Sequence, residues 1–128
     1  TYGDVVDCDE PQMFGILSGD DLVTRLAIEV PNVKRLVFAI GGVDGLLRCP
    51  PQRATEDDLL EIWHPGIIFE GEHQQNIDVT GGIGLKAARG AKVAQNGIEV
   101  MMVSGQHPQR VADACIGVAT RGTKVVSK

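Results

Sequence analysis

The sequence predicts an α/β protein, a three-layer α/β/α sandwich around a mainly parallel central sheet, and three observations carry that prediction. Strand-length apolar runs alternate with stretches of helical spacing throughout the second half, from Ile83 to Val126. The run Val33–Ile40, nearly unbroken in apolar character from Leu36, and the run Ile98–Val103 have the composition of strands covered on both faces. Glycine supplies 16 of the 128 residues and gathers at Gly41-Gly42, Gly45 and Gly81-Gly82-Gly84, where elements end or begin and close backbone approach is needed. In sheets of this class ligands collect beyond the carboxyl ends of the strands.

Thr1–Val6 and Phe14–Leu17 are β-favouring runs joined by the polar segment Asp7–Met13, which predicts an antiparallel ribbon with a loose loop. Ser18 is the expected N-cap of a first helix, with Asp20 and Asp21 in its first turn where the helix dipole favours carboxylates. Leu22, Val23, Leu26 and Val30 follow at helical spacing as the expected buried face, and Pro31 ends the element. The strand Val33–Ile40 is broken by Gly41-Gly42. From Arg48 to Asn76 the chain turns acidic and proline-bearing, and only Asp57–Trp63 reads as a short helix. Ile83–Asn96 is the next predicted helix, with Ile83, Ala87, Ala91 and Ala94 as its stripe and Asn96-Gly97 as its stop. A strand over Ile98–Val103, a turn at Ser104-Gly105, a helix over Pro108–Cys115 and a final strand over Thr123–Val126 complete the order. Residues 1–128 show no repeat, low-complexity segment or linker, so one domain is expected.

Composition narrows the function. With 43% hydrophobic and 23% charged residues the chain has the balance of a folded protein. Seventeen acidic against twelve basic side chains, with no basic face, disfavour nucleic acid or an anionic membrane as partner. No apolar run reaches the roughly 18 residues of a membrane helix, and no signal pattern opens the chain, so a cytoplasmic protein is expected. Cys8, Cys49 and Cys115 are odd in number and widely spaced, which predicts reduced core thiols rather than disulfides or a thiolate metal site. His64, His73 and His107 have no ligand spacing, so metal binding through histidine is not expected. No G-x-S-x-G elbow supports covalent hydrolysis, and Trp63 and Phe69 are expected as anchors rather than base-stacking platforms.

Three segments bear chemistry. Thr80-Gly81-Gly82-Ile83-Gly84-Leu85-Lys86 is a glycine-rich entry to a helix with a lysine in its second turn. Unpaired N–H groups there attract anions and Lys86 reaches the same place as a mobile charge, although the spacing is not that of a Walker A loop. A flexible turn followed by a solvated lysine fits the same residues. Asp20 and Asp21 in Ser18-Gly19-Asp20-Asp21 are capping and dipole residues, or Asp20 orients lysines or helps to hold Mg2+ around phosphates. Val43-Asp44-Gly45 is a strand-end turn, or backbone presented to a nucleotide.

In order and spacing these segments, with Tyr2-Gly3-Asp4-Val5-Val6, Phe14-Gly15-Ile16-Leu17 and Arg121-Gly122-Thr123, resemble the carboxyl-terminal half of the amino acid kinase family, and within it the isopentenyl phosphate kinases. The resemblance spans the chain except about Arg48 to Asn76. It implies a half-sandwich that binds MgATP, in an enzyme moving the γ-phosphoryl group of ATP onto isopentenyl phosphate to give isopentenyl diphosphate. By the same resemblance Lys86 neutralises phosphate charge in the transition state and Asp20 organises the catalytic lysines. Gly41, Gly42, Asp44, Gly81 and Gly82 lie at the nucleotide, and Gly3 lies against the substrate phosphate. Two departures stand out. The family ends the strand before its V-D-G motif in Thr-Asp or Ser-Asp, where this chain has Gly41-Gly42, and the family's amino-terminal half, with its Lys-x-Gly-Gly loop and its histidine, has no counterpart here. The chain alone is therefore expected to be inactive, and to need that missing half or a second copy as partner. The alternatives are a non-catalytic nucleotide-binding or regulatory module, a structural half-sandwich, or a family member with another acceptor such as N-acetylglutamate, uridylate or fosfomycin.

Overall fold

The structure, a computed structural model, describes residues 1–9, 11–68 and 82–128. The predicted ribbon forms from β1 (Asp4–Asp7) and β2 (Phe14–Leu17), antiparallel with Asp4 opposite Leu17 and Asp7 opposite Phe14. Ser18 then caps α1 (Gly19–Glu29): its side chain accepts from the Asp20 N–H at 3.2 Å, satisfying one donor that the first helical turn leaves over.

The rest is built on a four-stranded sheet in the order β3-β5-β6-β4. β3 (Arg35–Ile40) and β5 (Glu99–Ser104) run parallel over six residue pairs, from Arg35 opposite Glu99 to Ile40 opposite Ser104. β6 (Thr123–Val125) runs antiparallel to β5 and parallel to β4 (Ile62–Trp63), so two of the three pairings are parallel. Between β3 and β5 lies α2 (Gly82–Ala94), the crossover that a parallel pair requires. It covers the face formed by Phe38, Val100, Met102 and Val125. Gly90 allows the close approach, since a Cβ there would stand 3.1 Å from Val100 Cγ1 and 3.3 Å from Val125 Cγ1. α1 packs on α2, while α3 (Pro108–Ile116) packs on β3 and β5 with Ala114 buried. Pro108 opens α3 and Gly117, at φ 81°, closes it in the left-handed conformation that glycine adopts without strain.

Four sequence expectations change. The segment Asp57–Trp63 is not a helix: a 3-10 turn over Glu56–Asp58 gives way to β4. The Asp58 carboxylate accepts from Thr55 N–H at 2.8 Å and from the Thr55 hydroxyl at 3.0 Å, closing the turn, and Ile62 and Trp63 then find Lys124 and Val125 of β6. α1 buries Thr24 and Ala27 while Leu26 and Val30 stay exposed, because it rests on α2 and needs only a narrow stripe. β3 is covered fully on one face only. Leu36, Phe38 and Ile40 are buried, but Ala39 is exposed because β3 is the last strand of its sheet. The cysteines are not core thiols: Cys8 and Cys49 are half-buried and Cys115 is exposed, with no bridge among them. Trp63 is the anchor expected of it, 3% exposed, its indole N–H donating to the Ile67 carbonyl at 2.9 Å. Phe69, His73 and the segment Asp78-Val79-Thr80-Gly81 lie outside the described residues. Among the described residues no helix is long and apolar enough to cross a membrane.

Candidate active site

Asp20 and Lys86 meet. Lys86 Nζ donates to Asp20 Oδ1 at 2.5 Å, and the two side chains are 26% and 15% exposed, so the pair is shielded from most of the screening that weakens surface ion pairs. The ammonium also lies 5.3 Å from the centroid of the Phe38 ring, within cation–π range. Ser18, Gly19, Asp20, Val37, Phe38 and Lys86 are among the residues lining a cavity of about 370 Å³. Gly3 is not among the residues lining it, and a Cβ there would collide with the carbonyl oxygen of Leu17 and the amide nitrogen of Gly19. The first residues are thereby laid directly against the N-terminus of α1.

A second cavity of about 360 Å³ is mostly apolar, with Gly41, Gly42, Val43, Leu47, Pro51 and Ile83 in its wall. Nothing lies within 4 Å of where a Cβ would stand at Gly41 or Gly42, so these glycines are not imposed by packing, although Gly42, at φ 76°, has a backbone conformation that side chains resist. Gly82, at φ 65°, opens α2. The start of α2 therefore serves both cavities: Ile83 faces the apolar one, and Lys86, one turn on, faces the one that holds Asp20.

Asp44 sits beside the apolar cavity with its carboxylate already engaged. Arg110 Nη1 donates to Oδ1 at 2.6 Å and Arg121 Nε to Oδ2 at 2.7 Å, and Arg121 Nη2 reaches the Glu56 carbonyl at 3.0 Å. The hydrogen bond from Arg121 holds the Asp44 carboxyl below the usual carboxylate range, and Arg110 adds to the effect. The side chain of Asp44 thus ties the Gly41–Gly45 turn to α3 and to the approach to β6. Among the described residues no group of three or more His, Cys, Asp or Glu side chains is gathered for a metal ion.

No family model matches the sequence. The chain is 29% identical over 129 aligned residues to the isopentenyl phosphate kinase of Methanothermobacter thermautotrophicus, a match covering 99% of this chain and 48% of that protein, in its carboxyl-terminal part. Among solved structures, the product complex of T. acidophilum isopentenyl phosphate kinase matches 98% of the chain at 31% identity with a TM-score of 0.66. An isopentenyl phosphate kinase substrate complex matches 96% at 30% identity, again with a TM-score of 0.66, and the chain covers 45% of each of these two proteins. This chain resembles the carboxyl-terminal half of an isopentenyl phosphate kinase. It spans about half the length of the curated relative it matches. It shares the amino acid kinase fold of these isopentenyl phosphate kinase structures, as its sheet and flanking helices require.

Beyond the resemblance to isopentenyl phosphate kinases, the structure adds residues that the sequence reading left without a role. Phe38 under Lys86, and Arg110 and Arg121 on Asp44, are brought in by packing across long separations and leave no local signal. The pair Asp21–Arg89 is likewise set by packing across a long separation, since the adjacent Asp20 and Asp21 and the residues Lys86 and Arg89, one turn apart, share no common spacing.

Proposed function

We propose that this chain is the nucleotide-binding half of an ATP-dependent phosphotransferase that converts isopentenyl phosphate to isopentenyl diphosphate. The observation that carries the reading is the Asp20–Lys86 pair, set where the glycine-led start of α2 stands between an apolar cavity and a polar one. Phosphoryl transfer needs positioned positive charge and backbone donors more than a covalent nucleophile. The residues present suit ATP. The cavity at Gly41 and Gly42 offers apolar walls for a base, with Asp44 holding the turn that forms one side of it. The opening of α2 at Gly82 offers backbone N–H groups to an anion, and the Gly81 expected beside it lies outside the described residues.

In this reading an oxygen of the acceptor phosphate bonds to the γ-phosphorus as the bond from that phosphorus to the β-bridging oxygen breaks and ADP leaves. Lys86 places its ammonium on the oxygens where charge develops, and Asp20 holds that ammonium in place. Gly3, by the family resemblance, lies against the acceptor phosphate, and its lack of a Cβ lets the first residues sit against the start of α1. Mg2+, when bound, neutralises phosphate charge, and it is carried largely by the phosphates, with Asp20 the carboxylate of the cavity that would hold it.

The catalytic site is completed by an amino-terminal half or, failing that, a second copy of the chain. The outer edge of β3 and the exposed Val5, Phe14 and Ile16 of the ribbon are the surfaces offered to such a partner, and without it the chain is inactive. The cytoplasm, which supplies ATP and keeps thiols reduced, suits the reaction. The rival reading, a nucleotide-binding module without transfer, draws on Gly41-Gly42 standing where the family carries side chains. Calorimetric titration with MgATP, paired with a transfer assay on isopentenyl phosphate in the complete enzyme, separates the two. Binding with transfer supports the kinase, binding without transfer favours the module, and no binding overturns both.

A further inference from the structure

The helices that carry Asp20 and Lys86 are clasped a second time. Arg89 Nε donates to Asp21 Oδ1 at 2.7 Å, in register with the Lys86–Asp20 pair and one turn further along α2. The Arg89 side chain is only 20% exposed, and its Nη1 is enclosed with no hydrogen-bond partner among the described residues. We propose that Asp21 and Arg89 are positioning residues that set the rotation of α2 against α1, so that Lys86 points into the cavity with Asp20 and Phe38. The inference rests on the reading of Lys86 as the charge partner of the transferring phosphoryl group.

The need for such a device follows from what lies beneath α2. From Gly84 to Ala91, the part of α2 that carries Lys86, the inward residues are Gly84, Ala87, Gly90 and Ala91, which set how closely the helix approaches but give little purchase against rotation there. The one larger buried side chain of α2, Val93, lies near the far end of the helix. Lys86 is a point charge on a long flexible stem, so a small turn of α2 moves its ammonium without breaking the bond to Asp20. A guanidinium is planar and donates in fixed directions, and Arg89 reaches Asp21 through Nε, the donor nearest its stem. Net stability is a weak reason for the pair. Partly buried ion pairs are often replaced by apolar side chains at no loss, and an enclosed, unpartnered N–H is a cost. What remains distinctive is direction: two bonds at different heights fix a rotation that one bond leaves free.

The test is made in the complete enzyme with Arg89→Met, which keeps the apolar stem, with Asp21→Asn at the more exposed end of the pair, and with the exchange Asp21→Arg/Arg89→Asp. Either single variant is expected to lower kcat by about tenfold or more, as misplacement of a charge partner does. KM for both substrates should stay within about threefold and the melting temperature should not fall, while the exchange restores part of the lost kcat. Wild-type kcat in both single variants, alongside a Lys86→Ala enzyme that has lost activity, overturns the positioning role and leaves the kinase reading intact. A kcat loss that tracks a fall in melting temperature, or that the exchange does nothing to restore, also overturns it in favour of a structural clasp. Undiminished turnover in Lys86→Ala overturns the role of Lys86 and this inference with it, whereas absence of transfer in the wild-type complete enzyme overturns the kinase reading.

Discussion

Lys86 Nζ and Asp20 Oδ1, separated by 66 positions in sequence, form a half-buried ion pair in the lining of a cavity, with the face of Phe38 beneath the ammonium. An ammonium placed there by a carboxylate and an aromatic ring is held in one orientation by the protein's own groups. On the proposed function, Lys86→Ala in the complete enzyme is expected to lower turnover by about a hundredfold or more, the usual result of removing a transition-state charge partner. Asp20→Asn should cost turnover too, because the amide no longer fixes the ammonium by charge. Steady-state kinetics with MgATP and isopentenyl phosphate reads both, and near-wild-type turnover in Lys86→Ala refutes the role.

Thr123 is fully buried, and its hydroxyl oxygen accepts from the Leu46 amide at 2.8 Å, with Leu46 fully buried as well. This bond ties the loop after β3 to the first residue of β6. Thr123→Val keeps the shape but leaves a buried N–H without an acceptor, at an expected cost of about 1–3 kcal/mol. Thr123→Ser should lose less because it keeps the acceptor. Urea unfolding of both variants checks this, and equal stability in Thr123→Val and wild type refutes it.

Asp44 supplies a pH dependence whose sign is set. Its carboxyl is held below the ordinary value chiefly by the hydrogen bond from Arg121, so its contribution is fully present above the unfolded-state pKa, about 4, and is lost as pH falls through the lower folded value. Stability measured by denaturant titration should therefore fall with pH below about 4 by more in the wild type than in Asp44→Asn. Parallel acid profiles for the two proteins would show that the arginine pair does not act on Asp44.

The ribbon exposes Val5, Phe14 and Ile16, and among the described residues β3 has a neighbouring strand on one side only. Unpaired strand edges beside apolar side chains invite association. The isolated chain is expected to self-associate in sedimentation experiments at micromolar concentration, and to do so less when Ile16→Lys places a charge on the ribbon. A monomer at all concentrations with a sharp unfolding transition runs against this.

Most elements were legible because their signals are local. Ser18 before two aspartates, Pro108 ahead of an apolar turn, Asn96-Gly97 after a stripe of alanines and the apolar strand runs each name a cap, a stop or a strand within a few residues. β4 is not legible in the sequence because two residues of strand carry too little pattern, and they become a strand only where Lys124 and Val125 stand beside them. The buried face of α1 is not legible either, for a related reason. Periodicity shows that a helix has an apolar side, while the depth of burial depends on the width of what it rests upon, here the narrow flank of α2.

The sequence by itself determined the order and kind of the principal elements, the glycine-led helix start with its lysine, and the resemblance to isopentenyl phosphate kinases, since all of these reside in residue type and short spacing. Tertiary structure alone decided that β6 runs against β5, that Asp44 is spoken for by Arg110 and Arg121, and that Arg89 joins Asp21 beside Lys86 and Asp20. These relations cross tens of residues and depend on the relative rotation of packed helices and strands, a quantity that no local window of sequence contains.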